Sequence, residues 1–179
     1  MKQLMPAVNS SDHIYGNKRA LIELVEYGDY QCLYCGRAYP LIKNMQKELG
    51  PHLKVVYRNF PLSKSHPYAF AAAIAAEAAA LQDKFWEMHD TVFENQEILN
   101  IDSLIDFAEM IGLNLEKFKQ DIQKKVLADK VERDFESGLR SGVNKIPSFY
   151  INGNKYEGNW EEGGLFNYLK SKMAEIAIF

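Results

Sequence analysis

The stretch from Ala20 to Tyr57 constrains the fold more than any other, because it reads as a buried strand that delivers two cysteines onto the first turn of a helix. Ala20 to Tyr27 (ALIELVEY) is a nearly continuous apolar run broken only by Glu23 and Glu26, the pattern of a central strand covered on both faces. Gly28-Asp29 interrupts it, and Cys32-Leu33-Tyr34-Cys35 follows at once. From Cys35 to Leu49 apolar residues recur at 38, 41, 42, 45 and 49, and Gly50-Pro51 ends the helix they define. Leu53 to Tyr57 (LKVVY) reads as a second strand. Strand, helix and strand in such close succession predict a right-handed parallel crossover.

The middle third reads as helical. Ala69 to Leu81 holds nine alanines and one Glu, a strong helix former with side chains small enough for close packing. A helix over Phe85 to Phe93 follows, then an apolar face of Ile101, Leu104, Ile105, Ala108 and Ile111. Asn114 is placed to cap a helix with the face Leu115, Phe118 and Ile122, and Ala128, Val131, Phe135 and Leu139 mark another that ends near Gly142. Ser148 to Ile151 is a β-rich run, Asn152-Gly153 is a hairpin turn, and Lys155-Tyr156-Glu157 returns. Glu161 to Ile178 closes the chain as a helix with Leu165, Tyr168, Leu169 and Met173 inward. The predicted order is β-α-β, a helical block, then β-β-α: an α/β sheet with helices on both faces.

At 179 residues this fits one domain, or one domain carrying an insertion. The apolar share of 47% and charged share of 25% are those of an ordinary globular protein. A net charge of −3 argues against a nucleic-acid binder, and no apolar stretch approaches a membrane span. Residues 1–10 lack the features of a secretory leader, so the expectation is a cytoplasmic protein, or a periplasmic or secreted one whose leader was removed.

Two cysteines, Cys32 and Cys35, exclude a disulfide framework. At a helix N-terminus, free backbone N–H groups and the helix dipole stabilise a thiolate, and only the thiolate attacks a disulfide. This makes Cys32 the nucleophile; Cys35, one turn on, resolves the mixed disulfide. A structural zinc site needs four ligands, yet there is no second cysteine pair, and His13, His52, His66 and His89 lack paired spacing. Neither a metal nor another cofactor is expected. Inert burial is disfavoured because the pair should stand at the exposed end of a strand.

Glu26-Tyr27-Gly28-Asp29-Tyr30-Gln31-Cys32-Leu33-Tyr34-Cys35-Gly36 resembles the active-site segment of the DsbA-like thiol–disulfide oxidoreductases, in the thioredoxin superfamily. Arg58 to Leu62 followed by His66-Pro67 and the Ala-rich helix, Phe85 to Asp90, and Ile146 to Phe149 resemble further blocks of that family. The resemblance runs from about residue 12 to 170 and implies a thioredoxin-like fold. Residues 1–63 and 143–179 would form the thioredoxin-like domain and 64–142 a helical insertion.

It also implies roles. Ile146-Pro147 matches the family's cis-proline dipeptide, where the Ile146 backbone stays free to pair with an extended substrate. Glu26 stands where the family carries a buried carboxylate that takes the Cys35 proton. With Leu33 and Tyr34, Ile146 would form a shallow apolar docking surface for protein or peptide thiols and disulfides, and a redox-recycling partner would be needed. His66 is assigned to capping or packing, His89 to a structural place in its helix, the aromatics Tyr27, Tyr30, Phe60 and Trp86 to core or groove walls, and Asp29 to the turn, where its charge would oppose the thiolate. Many relatives carry Pro and then His between the cysteines; Leu33 and Tyr34 here bring no positive charge. A higher Cys32 pKa and a less oxidising couple are therefore expected. The alternatives are a glutathione-dependent transferase or isomerase of the same superfamily, and a non-catalytic, metal-loaded binding module.

Overall fold

A computed structural model describes residues 2–176. Its sheet is built around β2 (Ile22–Gly28), which pairs in parallel with β3 (Leu53–Asn59) and antiparallel with β4 (Ser148–Ile151). β1 (His13–Gly16) closes one edge against β3, and β5 (Asn154–Lys155) closes the other, giving the order β1-β3-β2-β4-β5. Between β2 and β3 runs α1 (Leu33–Leu49). Between β3 and β4 lie α2 (Ala69–Ala80), α3 (Phe85–Glu94), α4 (Ile101–Met110), α5 (Leu115–Asp121) and α6 (Lys125–Ser141). α7 (Gly164–Ile176) ends the fold.

Side-chain parity in β2 divides the core. Ile22 and Leu24 pack with Ala38, Ile42, Met45 and Leu49 of α1 and Leu165 and Leu169 of α7. Val25 and Tyr27 project from the opposite face, among Val56, Phe60, Val143 and Tyr150. Glu26 shares parity with Ile22 and Leu24, so the strand aims its carboxyl beneath α1. The helical block forms a third cluster around α2, whose alanines are buried nearly all round, and both cysteines belong to it.

Several expectations need correction. β1 was not foreseen, because His13–Gly16 is a four-residue strand defined by its pairing with β3 and not by any local pattern. α1 begins at Leu33 with Cys32 as its N-cap, as expected of a cysteine at the helix N-terminus. The hairpin turns at Asn152-Gly153, both with positive φ (46° and 79°), as a type I′ turn requires. Its returning strand covers only residues 154 and 155, so Tyr156 and Glu157 lie beyond it. α7 starts at Gly164, after Glu162 and Gly163 adopt positive φ, and of its expected inward residues Tyr168 is exposed. Leu41, Ile101 and Leu139, each placed on an inward face by spacing, also reach solvent. Residues 177 and 178 of the expected last helix fall outside the described residues.

The helical block is fastened to the sheet by polar groups buried between them. Glu77, the one charge in α2, pairs with His13 Nε2 of β1 at 2.8 Å and accepts from Asn59 Nδ2 of β3 at 3.1 Å. Asn59 also donates its backbone N–H to Asp134 of α6 at 3.1 Å, and Lys130 Nζ donates to Asp134 at 2.7 Å. Removing one member of a buried, hydrogen-bonded set strands its partners. Glu77→Ala is expected to lower unfolding free energy by about 3 kcal/mol, read by urea denaturation. A loss under about 1 kcal/mol would show that the set does not hold the two parts together.

Candidate active site

The end of β2 leads into a tight turn, Asp29 to Gln31, that hands the chain to α1. Cys32 is the N-cap residue, extended at φ −77° and ψ 122°. Its N–H donates to the Asp29 carbonyl (3.1 Å) and its carbonyl accepts the first helical bond, from Gly36 N (3.0 Å). No side-chain hydrogen bond caps this end, so the first-turn N–H groups stay unpaired near the sulfur.

The two cysteines are free thiols in contrasting states. The Cys35 thiol donates to the Cys32 sulfur, and the backbone N–H groups of Cys35 and Tyr34 add to it; together they pull Cys32 down to about 6, against burial and the Asp29 charge. Burial, and that same hydrogen bond, push Cys35 well above the ordinary thiol range. Cys32 exposes 6% of its surface and Cys35 none. The expectation of a pair at an exposed strand end is thus corrected: the pair is buried in the cluster of the helical block, with only Cys32 keeping a small exposure. Leu33 and Tyr34 beside it stand out into solvent, 76% and 57% exposed.

Glu26 is 3% exposed. Burial first, and the nearby Cys32 charge second, raise its carboxyl to about 8. It borders a cavity of about 10 Å³ shared with Ile42, Gln46, Tyr57, His89 and Asp90. Ile146-Pro147 is a cis peptide. It immediately precedes Ser148, which pairs with Tyr27 near the end of β2, and Ile146 packs on the apolar cluster that contains both cysteines. The residues singled out in the sequence therefore gather at one end of the sheet. A separate groove of about 630 Å³ lies between Pro61–Ser65 and α6, and none of Leu33, Tyr34 and Ile146 lines it.

Two residues gain importance that the sequence did not give them. Asp29, assigned to the turn, is buried and accepts from Gln31 N (2.7 Å), Leu62 N (2.8 Å) and His66 Nδ1 (2.8 Å), so it ties the turn to the β3–α2 connection. Gln96, in a 3₁₀ turn over Gln96–Ile98, crosses the site and donates to two of its carbonyls. No local motif marks it; only its contact across more than sixty positions does. His89 is buried against Tyr30 Oη (3.1 Å), and burial holds it down near 3, hence neutral. Among the described residues no group of three or more His, Cys, Asp or Glu side chains is arranged to hold a metal.

The raised carboxyl gives a pH signature. Glu26 ionises near 4.5 when unfolded and near 8 in the fold. A carboxyl shifted upward contributes stability that is complete below pH 4.5 and lost as pH climbs from 4.5 to 8. Glu26→Gln removes that loss. In the reduced protein the variant should gain on the parent by up to about 1.4 kcal/mol per pH unit across this window, read by urea denaturation at several pH values. A difference independent of pH would mean the carboxylate is charged in the fold.

A family model described as Thioredoxin matches residues 8–171. Among curated proteins, the chain is 38% identical over 174 residues to "Na(+)/H(+) antiporter NhaA 1" of Mycolicibacterium vanbaalenii, covering 96% of this chain and 28% of that protein. It is 36% identical over 175 residues to "Na(+)/H(+) antiporter NhaA 3" of Salinispora tropica, covering 98% and 27%. The chain thus spans little more than a quarter of the length of these relatives. Among solved structures, alpha-DsbA1 of Wolbachia pipientis superposes with a TM-score of 0.82 at 22% identity, over 99% of this chain and 98% of that one. Oxidised BdbD of Bacillus subtilis gives 0.79 at 23% identity, over 92% of each. With the family match reaching from ahead of β1 into α7, and a helical insertion shared with these structures, the chain belongs to the thioredoxin family and has the fold of its DsbA-like members.

Proposed function

We propose that this protein exchanges disulfides with protein or peptide partners through Cys32 and Cys35. The observation that carries the reading is the opposed state of the two thiols, Cys32 drawn to about 6 and Cys35 held protonated by burial. At neutral pH only the first is a thiolate, so attack has one direction. The Cys32 thiolate attacks a sulfur of the partner's disulfide; a mixed disulfide forms and one partner thiolate leaves. Cys35 then loses its proton to Glu26 and attacks the Cys32 sulfur, forming the Cys32–Cys35 disulfide and releasing the second partner thiol. The reverse sequence oxidises a partner dithiol, and a recycling partner restores the starting state in either case.

Glu26 is timed for this step. Once the Cys32 sulfur is neutral in the mixed disulfide, the charge that helped raise the carboxyl is gone. The carboxyl becomes a stronger acid, and a larger share is ionised, when Cys35 needs a base. The exposed Leu33 and Tyr34, with Ile146 beside the cis-proline, would receive an extended segment next to Cys32. A Cys32 value near 6 lies between the roughly 3.5 of the strongly oxidising enzymes and the roughly 7 of thioredoxin, which supports a couple less oxidising than His-containing relatives.

The antiporter name of the curated relatives belongs to much longer proteins, and no helix among the described residues is long and apolar enough to cross a membrane. The portion those proteins share with this chain is, on this reading, a redox module.

The test is trapping. Cys35→Ser is expected to accumulate mixed disulfides through Cys32 with a disulfide-bonded substrate protein, visible on non-reducing gels and reversed by dithiothreitol, while Cys32→Ser accumulates none. Absence of any adduct in Cys35→Ser would contradict the proposal, and glutathione conjugation of an electrophile that survives Cys35→Ser would point to the transferase alternative instead.

A further inference from the structure

Gln96 lies in the helical block, 64 positions from Cys32, yet its side-chain amide reaches into the active-site turn. Nε2 donates to the Tyr30 carbonyl at 2.9 Å and to the Cys32 carbonyl at 2.9 Å. The Cys32 carbonyl also accepts the first helical bond from Gly36 N, at 3.0 Å. One amide therefore binds the carbonyl before the nucleophile's turn and the carbonyl of the nucleophile itself. Gly36 makes room for this: a Cβ there would run into the Gln96 amide, to which its three nearest neighbouring atoms all belong.

Carbonyl oxygens are the negative ends of peptide dipoles. Left without a donor, such an oxygen near a thiolate disfavours its charge, and its orientation fixes where the next N–H groups point. The groups that stabilise the sulfur, the Tyr34 and Cys35 N–H, follow directly after.

We infer that Gln96 is a positioning residue for the thiol chemistry: its amide clamps the Tyr30 and Cys32 carbonyls, holds the first turn of α1 with its N–H groups on the Cys32 sulfur, and so couples the helical insertion to the nucleophile's reactivity. Gly36 is the space that lets the clamp close. The inference rests on the dithiol reading above. Gln96 acts through the backbone carbonyls it binds.

The experiment compares the parent with Gln96→Met, Gly36→Ala and the double variant, all reduced. Iodoacetamide alkylation of Cys32 reports thiolate content against pH, and equilibration with glutathione reports the redox couple. Gln96→Met, similar in length but without a donor, should alkylate about two- to five-fold more slowly at pH 6 and at the parent rate at high pH. Its glutathione equilibrium should move by a similar factor toward the disulfide form, because the reduced state has lost stabilisation. Gly36→Ala should reproduce both changes by displacing the amide, although alanine favours the helix. The double variant should be no worse than either single one. Parent-like behaviour of Gln96→Met, or of Gly36→Ala, or additive effects in the double variant, would overturn the clamp. If Gln96→Met fails to fold, Gly36→Ala decides alone. A parent that forms no Cys32–Cys35 disulfide with glutathione would overturn the dithiol reading itself, an outcome distinct from all of these.

Discussion

The negative charge on the Cys32 sulfur is held by a hydrogen bond from a neighbouring thiol and by N–H groups that an uncapped helix leaves free. Without them the site would hold two buried thiols and a buried carboxylic acid, all neutral. With them, three ionisable groups within one small volume take different states. Cys32 is the acid of the set, drawn to about 6; Cys35, deeper and donating its proton to its neighbour, is the weak one; Glu26 is displaced upward to about 8 by burial and by the charge on Cys32. Each state depends on another, so neutralising Cys32 changes what Glu26 can do. Asp29 works against the charge, yet it is retained with three hydrogen bonds that fix the turn.

The rest of the fold serves that placement. β2, paired on both sides, ends at Gly28 and fixes where the turn begins. The parity that buries Leu24 against α1 also places Glu26 under the same helix. The helical insertion is joined to the turn at three points: His66 to Asp29, Tyr68 N to Gln31 Oε1 at 2.8 Å, and Gln96 to the carbonyls of Tyr30 and Cys32. Farther off, Glu77, Asn59, Lys130 and Asp134 fasten the same insertion to the sheet. The environment of the Cys32 sulfur is thus built by two parts of the chain acting on one loop.

What could be read in the sequence was local. The apolar run into Cys32, the helical spacing after it, the Asn152-Gly153 turn and the Asn114 cap each carry their signal within a few residues, and the structure has them. What could not be read depends on distant partners. β1 becomes a strand only by pairing with β3. The lone Glu in an alanine helix gives no sign that His13 and Asn59 will meet it. Gln96 sits in an unremarkable polar stretch, and its importance comes from carbonyls more than sixty positions away. The same limit explains the over-burial of Leu41, Ile101 and Leu139: spacing identifies a helix face without saying how much neighbour there is to cover it.

A titration of the reduced protein, following thiolate absorbance in the far ultraviolet with the disulfide form as blank, tests the placement of charge most directly. One thiolate should appear with a midpoint near pH 6, and the second should stay protonated well into the alkaline range. A first midpoint near the ordinary thiol value of about 8.5, or two thiolates rising together, would contradict it.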